Sequence, residues 1–337
     1  MPRLLSYSEV ETALTCFARW DFRYGGRLAG DALTALSTPA ILYEGRAWGA
    51  GVAAWHAHGG ELFASWEAHK ALRASLREDS LEMQRRGFPL DVVTLVESEE
   101  RLGAMLDHHI QTSEPLPNLT RLEAEMEVGI PSRGGRHASN RYRFLCYIDG
   151  YTELDGQQWI VEFKLRGSLT PADLLQRQRQ PRWYAYALAQ MQGFHPTGVI
   201  VDERLNLALA RPKVNKDGKP SHDKRQRITA EDYIETCREL GDEPRFDVVQ
   251  SLRERGWQQR VPILFRPDEL EEAGHELRDA AKLIRDLDSG ELYPLRHATR
   301  STCNGCDFKA ICSEPQDTSY VDTLFARTPP KREREAA

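Results

Sequence analysis

The chain has no run of about 18 apolar residues, so the sequence offers no membrane span. Its start, MPRLLSYSEVETAL, has no continuous apolar stretch of the kind a secretory leader needs. These absences predict a cytoplasmic location with reducing surroundings. Cysteine is scarce, six in 337 residues, and in such a compartment cysteines serve as ligands or buried thiols rather than disulfides. No GxxxxGKS or GxxxxGKT loop occurs, so no nucleotide-driven motor is encoded. No internal repeat is visible. An excess of positive charge is also missing, the net charge being −6. That does not exclude a nucleic-acid partner, because a local basic groove suffices for phosphate contacts.

What is present is enough apolar content, 40%, for a proper core. SYSEVETALTCFARWDFRY (residues 6–24) predicts one capped helix, with Ser6 or Ser8 as N-cap and Glu9 and Glu11 near its positive end. Residues 45–75 and the segment VVTLVESEERLGAMLDHHIQ are helical in pattern, so 61–118 reads as a helical insertion. LEAEMEVGIPS alternates like a strand. Residues 171–192 predict a helix burying Leu174, Leu175, Trp183, Tyr184, Leu188 and Met191. TGVIVDERLNLALA supplies a further strand, and two helices ending near glycine follow. The expected architecture is α/β, a central mixed sheet flanked by helices, in one domain over 1–327 with a disordered tail at 328–337.

The chemistry gathers around two adjacent strands, one ending YIDG and the next reading WIVEFK. Side chains alternate along a strand, so Glu162 and Lys164 share one face while Phe163 points to the other. Asp149 stands ahead of them. Two carboxylates side by side raise one another's pKa unless a cation intervenes, and a hard divalent ion fits such oxygens. Taken alone, an ordinary hairpin with an exposed ion pair gives the same three residues.

More of the pattern lies outside those strands. Gln180 and Tyr184 sit four residues apart just after the second strand, on one face of the predicted helix. Upstream, AAWHAH offers His56, with His58 beside it. In this order the motifs resemble the PD-(D/E)xK nuclease superfamily, in its RecB-like branch, with a restriction-endonuclease-like core. The resemblance implies that His56, Asp149 and Glu162, with the Phe163 carbonyl, bind Mg²⁺ or Mn²⁺. It makes Lys164 the catalytic lysine, and Gln180 and Tyr184 the residues that position it or the DNA backbone. The chain departs from the family pattern in one place: Gly51 precedes His56 by five residues, where the family has four.

The cysteines form a second constellation. Cys303, Cys306 and Cys312 are spaced C-x2-C-x5-C, and Cys16 lies far upstream. Four thiolates suit a [4Fe–4S] cluster or zinc. One distant cysteine with a C-terminal triplet is similar to the iron–sulfur RecB-like nucleases, AddB and the CRISPR-associated exonucleases among them. That resemblance implies a cluster stapling the N-terminal helix to the C-terminal segment. Cys146 and Cys237 read as core thiols.

Two basic groups could meet phosphates: Arg177, Arg179 and Arg182, and the loop RPKVNKDGKPSHDKRQR with Lys213, Lys224 and Arg225. A solvated loop is the plain alternative. The resemblance implies a metal-dependent exonuclease acting on single-stranded DNA or DNA ends in recombination, repair or CRISPR adaptation, with a helicase or similar protein as a separate partner. The rival expectation is a non-catalytic DNA-binding or scaffold subunit that keeps the fold.

Overall fold

Ser6 sets the first boundary. It closes a short strand, β1 (Arg3–Ser6), and its hydroxyl accepts the Glu9 N–H at 3.3 Å, capping α1 (Tyr7–Thr15). The structure, a computed structural model, describes residues 2–36, 40–59, 61, 63–85, 92–121, 125–132, 138–191, 194–207, 209–314 and 318–331. The single helix expected to Tyr24 is interrupted at Cys16, which is extended (φ −160°, ψ 117°) before α2 (Phe17–Trp20) and a π turn at Asp21–Gly25. A tertiary contact accompanies the break: the Ala18 N–H donates to the Leu295 carbonyl at 3.0 Å rather than to its own helix.

β2 (Ala32–Ala35) is followed by three helices, α3 (Ala40–Ala57), α4 (Ala64–Arg85) and α5 (Val92–Thr112). α4 buries Ala64, Ala68, Leu72 and Leu76, a strict four-residue stripe that packs with Leu102, Met105 and Leu106 of α5. Then come β3 (Thr120–Arg121), β4 (Glu125–Pro131), β5 (Ala138–Tyr147), β6 (Gly150–Leu154) and β7 (Gln157–Arg166). β6 and β7 are joined by Asp155–Gly156, both with positive φ (52° and 74°), the two-residue turn that matches strand twist.

The expected helix over 171–192 is two, α6 (Ala172–Gln176) and α7 (Arg179–Ala189). Pro181 has no N–H to give the Arg177 carbonyl, so one continuous helix would leave that carbonyl open. In the first turn of a fresh helix the missing donor costs nothing. The break also leaves Leu174 and Met191 exposed, contrary to the expected buried stripe. β8 (Pro196–Leu205), α8 (Ala230–Glu239), α9 (Phe246–Glu254), β9 (Gln258–Leu264), α10 (Pro267–Ser289), α11 (Arg300–Asn304), α12 (Thr318–Leu324) and β10 (Phe325–Thr328) complete the chain.

The main sheet runs β3-β6-β7-β8-β9, with β7 and β8 parallel across the α6–α7 crossover and the other pairs antiparallel. A second sheet, β1-β5-β4, is also mixed. This is a mixed α/β fold with helices on both sides, as the sequence leads one to expect. One core joins Ile160, Val199 and Val201 to Trp183 and Leu188 of α7 and Leu277 and Ile284 of α10. The other joins Val161, Phe163 and Ile200 to α3, α4 and α5. β9 closes the sheet edge, where Pro262 is tolerated. Gly198 must be glycine, since a Cβ there would collide with the Ile263 carbonyl oxygen.

The ends of the described chain meet. β10 pairs with β2, and Lys331 Nζ donates to the Leu4 carbonyl at 2.7 Å. Thr328–Lys331 is thus seated against the N-terminal segment; residues 332–337 of the expected disordered tail lie outside the described residues. Among the described residues, no helix is long and apolar enough to cross a membrane.

Candidate active site

β6 begins at Gly150, opposite Val161, so the ladder stops one residue after Asp149. The Phe163 N–H, left without a strand partner on that side, donates to Asp149 Oδ2 at 2.8 Å. N–H and C=O of one strand residue point to the same edge. The Phe163 carbonyl therefore also faces the Asp149 side. Glu162 is 1% exposed, and Lys164 Nζ lies 2.6 Å from its Oε2. Its other oxygen, Oε1, is buried with no hydrogen-bond partner among the described residues.

The electrostatics follow from that packing. Burial, reinforced by Asp149 and opposed by Lys164, pushes the Glu162 carboxyl up to about 7. For Lys164, burial works against the charge, but Glu162 and then Asp149 outweigh it and hold the ammonium above its usual range. Lysine stays charged, while one ammonium is too little to keep both carboxylates comfortably ionised. A buried carboxylate oxygen with no donor, beside a second carboxylate, is chemically suited to a hard divalent cation.

The matching family model is the PD-(D/E)XK nuclease superfamily, over residues 4–313. The chain belongs to that superfamily. Among curated proteins, none matches it. Membership makes the chain a nuclease of that superfamily, and the Asp149–Glu162–Lys164 group is its candidate centre.

The rest of the superfamily pattern is partly assembled around this centre. Gln180 Nε2 donates to Tyr184 Oη at 3.1 Å, as their spacing on α7 predicts. Burial, then the Glu162 charge, raises the Tyr184 hydroxyl, so it stays protonated beside the carboxylate. Two neighbours escaped the sequence reading. Tyr7 of α1 sets its ring edge against Trp183 and Tyr184. Arg166 acts electrostatically on both Glu162 and Lys164 and pairs with Glu203 at 3.4 Å. Arg166 was legible, two residues beyond Lys164 on the same face; Tyr7, distant in sequence, was not.

His56 is not brought to this centre. It stacks on the Phe163 ring (5.4 Å, 15°), and Phe163 is on the opposite face of β7 from Glu162. There it joins His109 and Asp202, one ligand atom from each lying within 4.8 Å of the others. Hydrogen bonds decide the ring protons. The Leu116 N–H donates to His56 Nδ1 at 2.9 Å, which leaves the proton of the neutral ring on Nε2. Gln258 Oε1 sits 3.0 Å from His109 Nδ1 and accepts there, leaving His109 Nε2 a lone pair. Both Nε2 atoms are buried without a hydrogen-bond partner among the described residues, the His56 one carrying a proton and the His109 one a lone pair. His58 is exposed, its Nδ1 2.8 Å from the Ala54 carbonyl.

The basic residues divide. Arg182 is committed to α10 through Glu276 (2.5 Å) and Glu272 (3.6 Å), and Arg179 reaches Glu11 at 3.4 Å. Lys224 pairs with Asp247 at 2.9 Å, and Arg225 with Asp223 at 3.1 Å. Arg177, Arg211, Lys213, Lys216, Lys219 and Arg227 are exposed. The loop that carries most of them leaves β8 beside the end of β7, where the Asn206 N–H donates to the Arg166 carbonyl at 2.7 Å.

Cys16, Cys306 and Cys312 border one hydrophobic cluster with Phe22, Phe308, Ile311 and Phe325. Cys16 Sγ accepts the His297 N–H at 3.4 Å, and burial pushes the Cys306 thiol up. Cys303 is tied to Cys306 by the Cys306 N–H, which donates to its carbonyl at 3.2 Å. Cys146 and Cys237 are buried in strand and helix.

Proposed function

We propose that this nuclease hydrolyses DNA phosphodiester bonds, acting as an exonuclease on single-stranded DNA or DNA ends. The single observation that supports it best is the buried Glu162 Oε1, without a hydrogen-bond partner among the described residues on a carboxylate whose other oxygen meets Lys164. Asp149, Glu162 and the Phe163 carbonyl would hold Mg²⁺ or Mn²⁺, which supplies charge neutralisation at the scissile phosphate. Lys164, held protonated by two carboxylates, is a stabiliser of developing phosphate charge rather than a base. Gln180 and Tyr184 form a hydrogen-bonded pair that orients the lysine or the DNA backbone. The exposed cations of the 211–227 loop, with Arg177, would bind phosphates.

The four cysteines Cys16, Cys303, Cys306 and Cys312 would carry a [4Fe–4S] cluster that ties the first helices to the C-terminal segment. Three of the four already border one apolar cluster. The setting would be recombination, repair or CRISPR adaptation, with a helicase supplied by another chain.

The test is cleavage of end-labelled single- and double-stranded DNA with Mg²⁺ or Mn²⁺, run beside Lys164→Ala. Digestion from ends by the wild type alone is expected. DNA binding with no cleavage under any metal would overturn the enzymatic reading in favour of a scaffold subunit. For the cluster, a brown protein whose visible absorption disappears in Cys306→Ser is expected; a colourless protein holding one zinc per chain would refute it.

A further inference from the structure

Beside the candidate nuclease centre, Glu203 is a buried carboxylate that its own neighbours satisfy. It is 0% exposed and stands opposite Lys164 on the parallel strand β8, so both side chains lie on one face of the sheet. Its Oε2 accepts the Thr170 N–H and Gln259 Nε2, both at 2.8 Å, and its Oε1 accepts the Thr170 hydroxyl at 2.9 Å. Gln259 Nε2 also donates to the Thr170 carbonyl at 2.6 Å. The carboxylate is fixed and supplied with donors before any arginine reaches it.

Arg166 meets Glu203 from one side only. Its Nε is buried 3.4 Å from Glu203 Oε1, an ion pair without a hydrogen bond. Its Nη1 and Nη2 make no hydrogen bond among the described residues and reach solvent, the side chain being 39% exposed. An arginine that serves only to neutralise a carboxylate closes its fork on it with two parallel hydrogen bonds, and this one does not. The open fork belongs to the nuclease face. Arg166 follows Glu162 and Lys164 at every second residue of β7, and its charge is felt by both of them and by the Tyr7 hydroxyl of α1.

We infer that Arg166 is a substrate-binding residue of this centre, its terminal amino groups holding the DNA phosphate next to the scissile one. A guanidinium fork matches two phosphate oxygens as it matches a carboxylate. Two residues along a strand span about 7 Å. Arg166 is therefore offset from Lys164 and takes a neighbouring phosphate, while Lys164 faces the reacting one. Glu203 is a positioning residue: it holds Nε and leaves the fork turned outward. The assignment rests on the nuclease reading of this centre.

Cleavage of an end-labelled single-stranded oligonucleotide with Mn²⁺ gives KM and kcat. Fluorescence anisotropy on the same oligonucleotide without divalent ions gives Kd over a salt series. Arg166→Met should raise KM and Kd about tenfold, change kcat less, and lower the salt slope by about 1. Arg166→Lys keeps the charge and loses the fork, so it should hold the wild-type salt slope and recover part of the affinity. A lowered Tm in Arg166→Met, with KM, Kd and salt slope at wild-type values, would reduce the residue to an ion pair and overturn the inference. A loss confined to kcat would overturn it too, by moving Arg166 to the reacting phosphate. A wild type that cleaves with neither Mg²⁺ nor Mn²⁺ sinks the nuclease reading alone; the metal-free Kd and salt slope still decide whether Arg166 meets a phosphate.

Discussion

The two faces of β7 make opposite uses of burial. On one, Glu162, Lys164 and Arg166 put three charges in succession beside Asp149, and one carboxylate oxygen is left without a donor. On the other, Phe163 packs on His56 and His109 close to Asp202, whose charge is met by Arg260. Both faces hold a buried carboxylate. Only the first adds a second carboxylate to it, and like charges in low dielectric demand a cation. On the second, both imidazoles are neutral and their Nδ1 atoms are occupied, while both Nε2 atoms are buried without a partner among the described residues. The first face sets two carboxylates against one ammonium; the second sets two neutral rings beside one carboxylate that a guanidinium already meets.

The sharpest way to break this contrast is activity. Asp149→Ala or Lys164→Ala should lower metal-dependent DNA cleavage by about 10²–10³-fold or more while the Tm stays within a few degrees. His56→Ala, on the far face, should leave kcat much closer to wild type. An equal loss in His56→Ala would mean that the two faces work as one site.

Stability against pH separates them next. The folded Glu162 carboxyl is raised to about 7 from an ordinary 4.5, so the folded state holds its proton more tightly. Its contribution is present at low pH and fades as pH rises from about 4.5 to 7, by on the order of 3 kcal/mol in the metal-free protein. Mn²⁺ should restore that loss at pH 8, and Glu162→Gln should abolish both the pH trend and the Mn²⁺ response in calorimetry. The histidine face has the reverse sign. Burial, with Arg260 and His109, lowers His56 to about 2, so the unfolded chain alone takes up protons below about 6.5 and stability falls as pH drops from there. Replacing His56 by Ala should cost about 2 kcal/mol through the cavity beneath Phe163, yet flatten that acid limb. Chemical denaturation at pH 5 and pH 7.5 checks it.

The smallest effects belong to the surface. Lys216→Ala and Lys219→Ala should each weaken DNA binding modestly, without sequence preference, and lower the salt slope by about 1. Arg182→Ala should instead act on stability, because its partners are on α10. Fluorescence anisotropy over a salt series, with the same variants melted, distinguishes the two.

Much of the candidate centre's geometry was legible because strand chemistry is local. Alternation alone puts Glu162 and Lys164 on one face, and helical spacing alone lets Gln180 reach Tyr184. The misreadings are where distant segments decide. Leu295 competes for the Ala18 N–H where Cys16 leaves the helix, and Pro181 splits the helix after β7 although its apolar pattern continues. β9 and α9 went unpredicted because they carry short or weakly patterned apolar stretches.

By itself, the amino-acid order determined the α/β class, the carboxylate–lysine strand pair and the helix that follows it, since periods of 2 and 3.6 residues need no partner to be read. Only the tertiary structure decided what each buried group faces. It set His56 behind the sheet, closed Tyr7 over Tyr184, joined both ends of the described chain at β2 and β10, and left Glu162 Oε1 and the Arg204 Nε and Nη2 without hydrogen-bond partners among the described residues. Burial and hydrogen-bond satisfaction are properties of the space between segments, and no local pattern encodes them.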